Sequence, residues 1–120
     1  MTDRELLEAA AKAACIALIP YIWNKGTGWD YEGFTISGEG QDEWNPLEDD
    51  GDALRLAVKL SLAVTPYPIY EHPKHSVIVA RKSLEDSRTE VGELYGSDPM
   101  AATRRAIVRA AAAMAQEGKL

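Results

Sequence analysis

The chain has 120 residues, 46% of them hydrophobic and 27% charged, with a formal net charge of −6. That length and balance predict one globular domain spanning 1–120 and argue against intrinsic disorder. No apolar run approaches the roughly 20 residues that cross a bilayer, and an acidic balance argues against direct nucleic-acid binding, which needs phosphate-neutralising cations.

Thr2-Asp3-Arg4-Glu5 has the spacing of a capping box and predicts a helix from about Asp3 to Ala14. Leu6, Ala9, Ala10, Ala13 and Ala14 recur at three- and four-residue intervals and would form its buried stripe. Cys15, the only cysteine, excludes an intrachain disulfide and a cysteine-based zinc site. It is expected to be a small buried or half-buried side chain.

Tyr21 to Asn24 reads as a short strand near a sheet edge, because Pro20 cannot donate to a central ladder. Lys25-Gly26-Thr27-Gly28 is a turn cluster, and Tyr31 to Ile36 a second strand completing a hairpin. Ser37 to Glu43 is rich in glycine and acids and reads as a surface loop. Asn45 precedes Pro46 and should be extended, or should cap a brief turn. A helix then starts at Asp49 or Asp50, with Asp49, Asp50 and Asp52 where unpaired amides favour negative charge. Ala53, Leu56, Ala57 and Leu60 share its inner face, and Trp44 is placed to cover its start.

Two prolines make the segment from Leu62 to Tyr70 an edge strand at best. Ser76 to Ala80 is the clearest strand, Ser83 to Ser87 is turn-like, and Thr89 to Tyr95 alternates weakly as a last strand. Asp98 and Pro99 start a helix running to about Gln116, with Met100, Thr103, Ile107, Ala110, Ala111 and Met114 on its buried face and Gly118 ending it. The order α-β-β-α-β-β-(β)-α predicts an α+β domain in which a small antiparallel or mixed sheet packs with three helices.

The charge is unevenly spread. From Gly26 to Leu54 there is no Lys or Arg, and the same window holds nine acids, among them Asp42, Glu43, Asp49 and Asp50. The rest of the chain carries ten acids against thirteen bases. Arg104, Arg105 and Arg109 lie on the last helix, where a pair one turn apart could clamp a phosphate or carboxylate.

Other candidate chemistry reads better as structure. Glu71-His72-Pro73-Lys74-His75 offers two imidazoles, but Pro73 interrupts regular geometry and no cysteine helps. The acids from Glu48 to Asp52 lack the spacing of a calcium loop, and helix capping accounts for them. Ser37-Gly38-Glu39-Gly40 lacks the helix and lysine of a phosphate loop. No nucleophile–base arrangement can be assigned, so neither metal, cofactor nor catalytic activity is expected.

Three blocks, MTDRELLEAAAKAA, WNPLEDDGDALRLAVKL and DPMAATRRAIVRAAAAM, resemble a group of small phage- and prophage-encoded proteins related to the phage α-β-α sandwich domain. They cover a little under half of the chain, and the middle block is the most specific. The resemblance implies helices around a small sheet and a phage accessory gene, and it implies no activity. Relatives often carry a hydroxyl residue where Glu48 stands, and residues 61–97 lie outside the resemblance.

The leading expectation is a non-enzymatic accessory protein in the host cytoplasm that binds a host protein through an acidic surface and blunts host defence. Asp42, Glu43, Asp49 and Asp50 would make the contact, since an acidic face can imitate nucleic acid in a basic groove. One alternative is a protein that sequesters a small anion such as a nucleotide through Arg104, Arg105 and Arg109, at an oligomer interface. Another is a structural or assembly factor. Homo-oligomerisation is left open by the sequence.

Overall fold

The computed structural model of the chain describes residues 1–24, 30–40, 42–68, 76–81 and 90–116. Helix α1 (Asp3–Ala13) begins as its capping box dictates. Thr2 Oγ1 accepts from the Glu5 amide at 3.1 Å, and Glu5 Oε1 accepts from the Thr2 amide at 3.0 Å. The hydrogen bond from the Thr2 backbone is the main reason the Glu5 carboxyl lies below its ordinary range.

Strands β1 (Leu18–Asn24) and β2 (Asp30–Ile36) form an antiparallel ribbon, with Pro20 opposite Phe34, Tyr21 opposite Gly33 and Trp23 opposite Tyr31. The strand reaches back past Pro20 to Leu18. A two-stranded ribbon has only edges, so the missing donor of Pro20 disturbs no inner ladder. Helix α2 (Asp50–Lys59) starts on the cap Asp49. Strands β3 (Leu62–Pro66), β4 (Ser76–Arg81) and β5 (Glu90–Leu94) form a second antiparallel sheet in the order β3-β4-β5. The proline-bearing strand is at its edge and the Val77-Ile78-Val79 strand at its centre. Helix α3 (Pro99–Gln116) follows β5. Asp98 Oδ1 accepts from the Ala101 amide at 3.0 Å.

The fold is therefore α+β, in the order α-β-β-α-β-β-β-α, with its five strands divided between two antiparallel sheets. Helix α3 is the hub, packed against α1, α2 and all three strands of the larger sheet. Alanine makes that possible, because Ala10 on α1 and Ala106, Ala110 and Ala111 on α3 have no accessible surface, so the backbones approach closely. Val77 and Val79 of β4 and Val108 of α3 are buried as completely. The ribbon joins this core through Phe34, with Leu18 and Ile36 packed beside it. On the α1 side the Arg4 guanidinium lies 5.0 Å from the centre of the Phe34 ring.

On α1 the buried face is wider than the predicted stripe, taking in Leu7 and Ala11 while Ala9 is only half-buried, and burial departs further from the sequence-based expectation at two places. Cys15 is exposed, not buried. It follows the C-cap Ala14 with φ +56°, so the chain reverses there and turns the thiol outward. On α3, Met100 is 53% exposed and Thr103 only half-buried, while Ala102, Ala106, Val108, Ala112 and Ala115 are buried. The first turn of α3 runs beyond the packed layer, and the later turns are enclosed over a wider arc than one stripe. The predicted turns at 25–28 and 83–87, the 71–75 cluster, Trp29, Tyr70 and the Gly118 stop lie outside the described residues. No helix among the described residues is long and apolar enough to cross a membrane.

Candidate binding cleft

The chain between β2 and α2 folds into a tight turn because several side chains serve its backbone. Asn45 Oδ1 accepts from the Leu47 amide at 3.0 Å. The Asn45 carbonyl accepts from the amides of Glu48 at 3.0 Å and Asp49 at 2.8 Å. Asp49 then caps α2, its Oδ2 accepting from the Asp52 amide at 2.8 Å. Asp52 closes the circuit, taking the Asn45 amide on Oδ2 at 2.9 Å and Arg55 Nη2 on Oδ1 at 2.7 Å. Trp44 fixes the other side of the turn. Its amide donates to the Phe34 carbonyl at 2.8 Å, and its side chain is 5% exposed.

This turn, the end of β2 and the first turns of α2 enclose an open cleft of about 580 Å³. Among the described residues its walls carry the carboxylates of Glu39, Asp42, Glu43, Glu48, Asp49 and Asp52 against one guanidinium, that of Arg55. Ile36 and Trp44 supply its apolar lining. The carboxylates differ in what they are already doing. Asp49 and Asp52 hold the turn together, whereas Glu39, Asp42 and Glu48 are exposed and accept no hydrogen bond among the described residues. The Asp52 hydrogen bond, with Asp49 and Glu39 adding charge, keeps Arg55 more firmly protonated than usual.

Glu43 links the cleft to the ribbon. The Tyr31 hydroxyl donates to Glu43 Oε2. That bond, reinforced by partial burial, raises the Tyr31 phenol above its ordinary range. Tyr31 ends a row of half-buried rings. The Trp23 and Tyr31 ring centres are 5.9 Å apart, and those of Tyr21 and Trp23 are 4.7 Å apart.

Three of the four acids singled out in the sequence, Asp42, Glu43 and Asp49, line this cleft. Asp50 does not. It points toward α3, where its Oδ1 accepts from Arg104 Nη1 at 2.6 Å. The three arginines of α3 reach three different elements. Arg104 also donates from Nε to the Leu47 carbonyl at 2.9 Å, Arg105 pairs with Asp3 of α1 at 3.0 Å, and Arg109 pairs with Glu93 of β5. Each guanidinium ties the hub helix to a neighbour, so all three are already engaged with carboxylates.

Sequence reasoning missed Arg55 and the ring row. Arg55 follows Asp52 by three residues, a spacing that puts both on one helix face. The ring row depends on strand register, which residue types alone do not reveal. Among the described residues no three His, Cys, Asp or Glu side chains converge to hold a metal ion. Comparisons with family models, curated proteins and solved structures give no match for this chain.

Proposed function

We propose that this protein is a non-enzymatic binding module whose acidic cleft receives a basic surface of another protein. The observation that carries the reading is the wall composition of the cleft, six carboxylates to one guanidinium among the described residues, in a concave, partly apolar site. A concave wall of one charge sign focuses the field and raises the rate of encounter with a partner of the opposite sign. Asp42, Glu43 and Glu48 are the contact residues, with Asp49 contributing charge while it caps α2.

The proposal extends to biological setting through the resemblance of the three sequence blocks. In a phage-infected cell the partner is a host protein with a basic groove built for nucleic acid, and occupying that groove blunts host defence. The triple variant Asp42→Asn, Glu43→Gln, Glu48→Gln tests the cleft while leaving Asp49 and Asp52 to hold the turn. Used as bait in host lysate beside the parent protein, it should lose the basic proteins that the parent retains at low salt. Retention of the same proteins in equal yield overturns the reading.

A further inference from the structure

We propose that Arg104 is a positioning residue of the acidic cleft: from the hub helix α3 it fixes the backbone that carries Glu48 and Asp49. This rests on the acidic-cleft reading and adds to it the group that sets the shape of the site. The peptide plane between Leu47 and Glu48 is held at both ends. Its carbonyl accepts from Arg104 Nε at 2.9 Å, and its amide donates to the Asn45 carbonyl at 3.0 Å. A peptide unit is rigid, so holding both ends sets the direction in which the Glu48 side chain leaves the backbone. The Asp49 amide donates to the same Asn45 carbonyl at 2.8 Å, which carries the constraint on to the cap of α2. Glu48 and Asp49 are both wall residues of the cleft.

The guanidinium makes a second bond, from Nη1 to Asp50 Oδ1 at 2.6 Å. One side chain thus ties both the turn and the first residue of α2 to α3. Its own base is firmly set, because Ala102, Ala106, Ile107 and Val108 around it on α3 are buried, and the Arg104 side chain is only 14% exposed. A planar guanidinium presents Nε–H and Nη–H as a fixed fork to two acceptors, whereas an ammonium is a single point charge. A cleft wall held in place before a partner arrives spares the complex the cost of ordering those side chains.

The test uses the full chain, with nona-lysine titrated calorimetrically at low salt and amide hydrogen exchange followed by NMR. Arg104→Gln should weaken nona-lysine binding by about two- to tenfold, the cost of ordering one long charged side chain in the complex. It should do so although losing a cation makes the protein more acidic, which by long-range attraction alone would tighten the binding of a polycation. The same variant should speed exchange at the amides of Glu48 and Asp49 more than at those of Val77 and Val79. Arg104→Lys, which keeps the charge and loses the fork, should fall between Arg104→Gln and the parent. The Asp42→Asn, Glu48→Gln variant should weaken nona-lysine binding by removing charge from the cleft itself.

If Arg104→Gln binds nona-lysine as tightly as the parent or more tightly, while the acid variant binds it less tightly, the positioning role is wrong and the acidic cleft stands. Weaker binding with exchange at Glu48 and Asp49 accelerated no more than in β4 likewise overturns the role, since the loss is then global. Should Arg104→Gln fail to fold, Arg104→Lys decides: weaker binding with faster exchange at Glu48 and Asp49 supports the fork, and parental behaviour in both overturns it. Should the acid variant bind nona-lysine as the parent does, the cleft reading fails and the role of Arg104 fails with it.

Discussion

Two residues show how single side chains are placed under constraint. Cys15 and Ser61 each follow a helix C-cap with positive φ, +56° and +55°. A left-handed backbone there costs a residue with a Cβ about 1–2 kcal/mol relative to glycine. At Cys15 the reversal is well bonded, since the Ile16 amide reaches the Ala11 carbonyl at 2.9 Å and the Cys15 amide reaches the Lys12 carbonyl at 3.2 Å. Glycine would keep these bonds and remove the strain, and the side chain it replaces is exposed. Cys15→Gly should therefore raise unfolding stability by about 0.5–1 kcal/mol in urea titration, after the loss from glycine's freer unfolded chain is counted. A decrease would show that the thiol packs. Tyr31 is constrained by charge instead. Its phenol is raised from the ordinary 10.0 because its neutral form donates to Glu43. That contribution to stability is fully present below the ordinary value and disappears as pH rises through the folded one. Carbon-13 NMR of the tyrosine ring should show Tyr31 titrating above 10.0, and Glu43→Gln should bring it back toward that value. An unchanged titration in that variant would leave the hydrogen bond without a role.

At the scale of elements, the signals that worked were local. The capping box of α1, the Asp49 cap of α2 and the Asp98-Pro99 start of α3 each lie within four residues of the amides they serve, so the sequence displays them directly. The Val77-Ile78-Val79 run announced β4 for the same reason. What was not legible needed distant partners. The hairpin of β1 and β2 was legible, as the register of the ribbon bears out, but nothing near Phe34 or Val91 tells whether that hairpin joins the later strands, so the division into two sheets stayed hidden. The inner face of α3 was misread at Met100 because an alanine-rich helix offers little polarity contrast to phase the stripe. The acidic window was plain as composition, yet the sequence could not separate acids that build the turn from acids that face outward. That distinction is testable. Asp52 is 8% exposed and satisfies the Asn45 amide, so Asp52→Ala leaves a half-buried donor unpaired and should cost about 2–3 kcal/mol in chemical denaturation. The Arg55 side chain is 73% exposed, and Arg55→Ala should cost less than about 1 kcal/mol. Comparable losses in both variants would mean that the ion pair, rather than the backbone bond, holds the turn.

Across the whole molecule, stability should be unequal. The α1–α3 pair and the three-stranded sheet share a continuous core in which Val77, Val79, Val108 and four alanines are sealed from solvent. The β1–β2 ribbon docks on that core through side chains, chiefly Phe34 with Leu18 and Ile36 beside it, and by the Trp44 amide bond to its edge. Ile19 and Ile22, on opposite faces of the ribbon, stay exposed at 44% and 58%. A unit with few buried apolar groups of its own opens at a lower free energy than the core around it. Hydrogen exchange should show the amides of β1 and β2 exchanging through a local opening, while those of Val77 and Val79 wait for global unfolding. Phe34→Ala removes the main anchor and should speed ribbon exchange more than it speeds exchange in β4, even though truncating a buried phenylalanine costs about 3–5 kcal/mol in a rigid core. Equal acceleration in both sheets would show one cooperative unit. The end of β2, which lines the cleft through Ile36, belongs to this weaker ribbon. A partner that bound there would slow ribbon exchange selectively, since binding stabilises only the closed form. The same experiment run with and without a basic protein captured by the cleft therefore reports both where the molecule yields and where it is held.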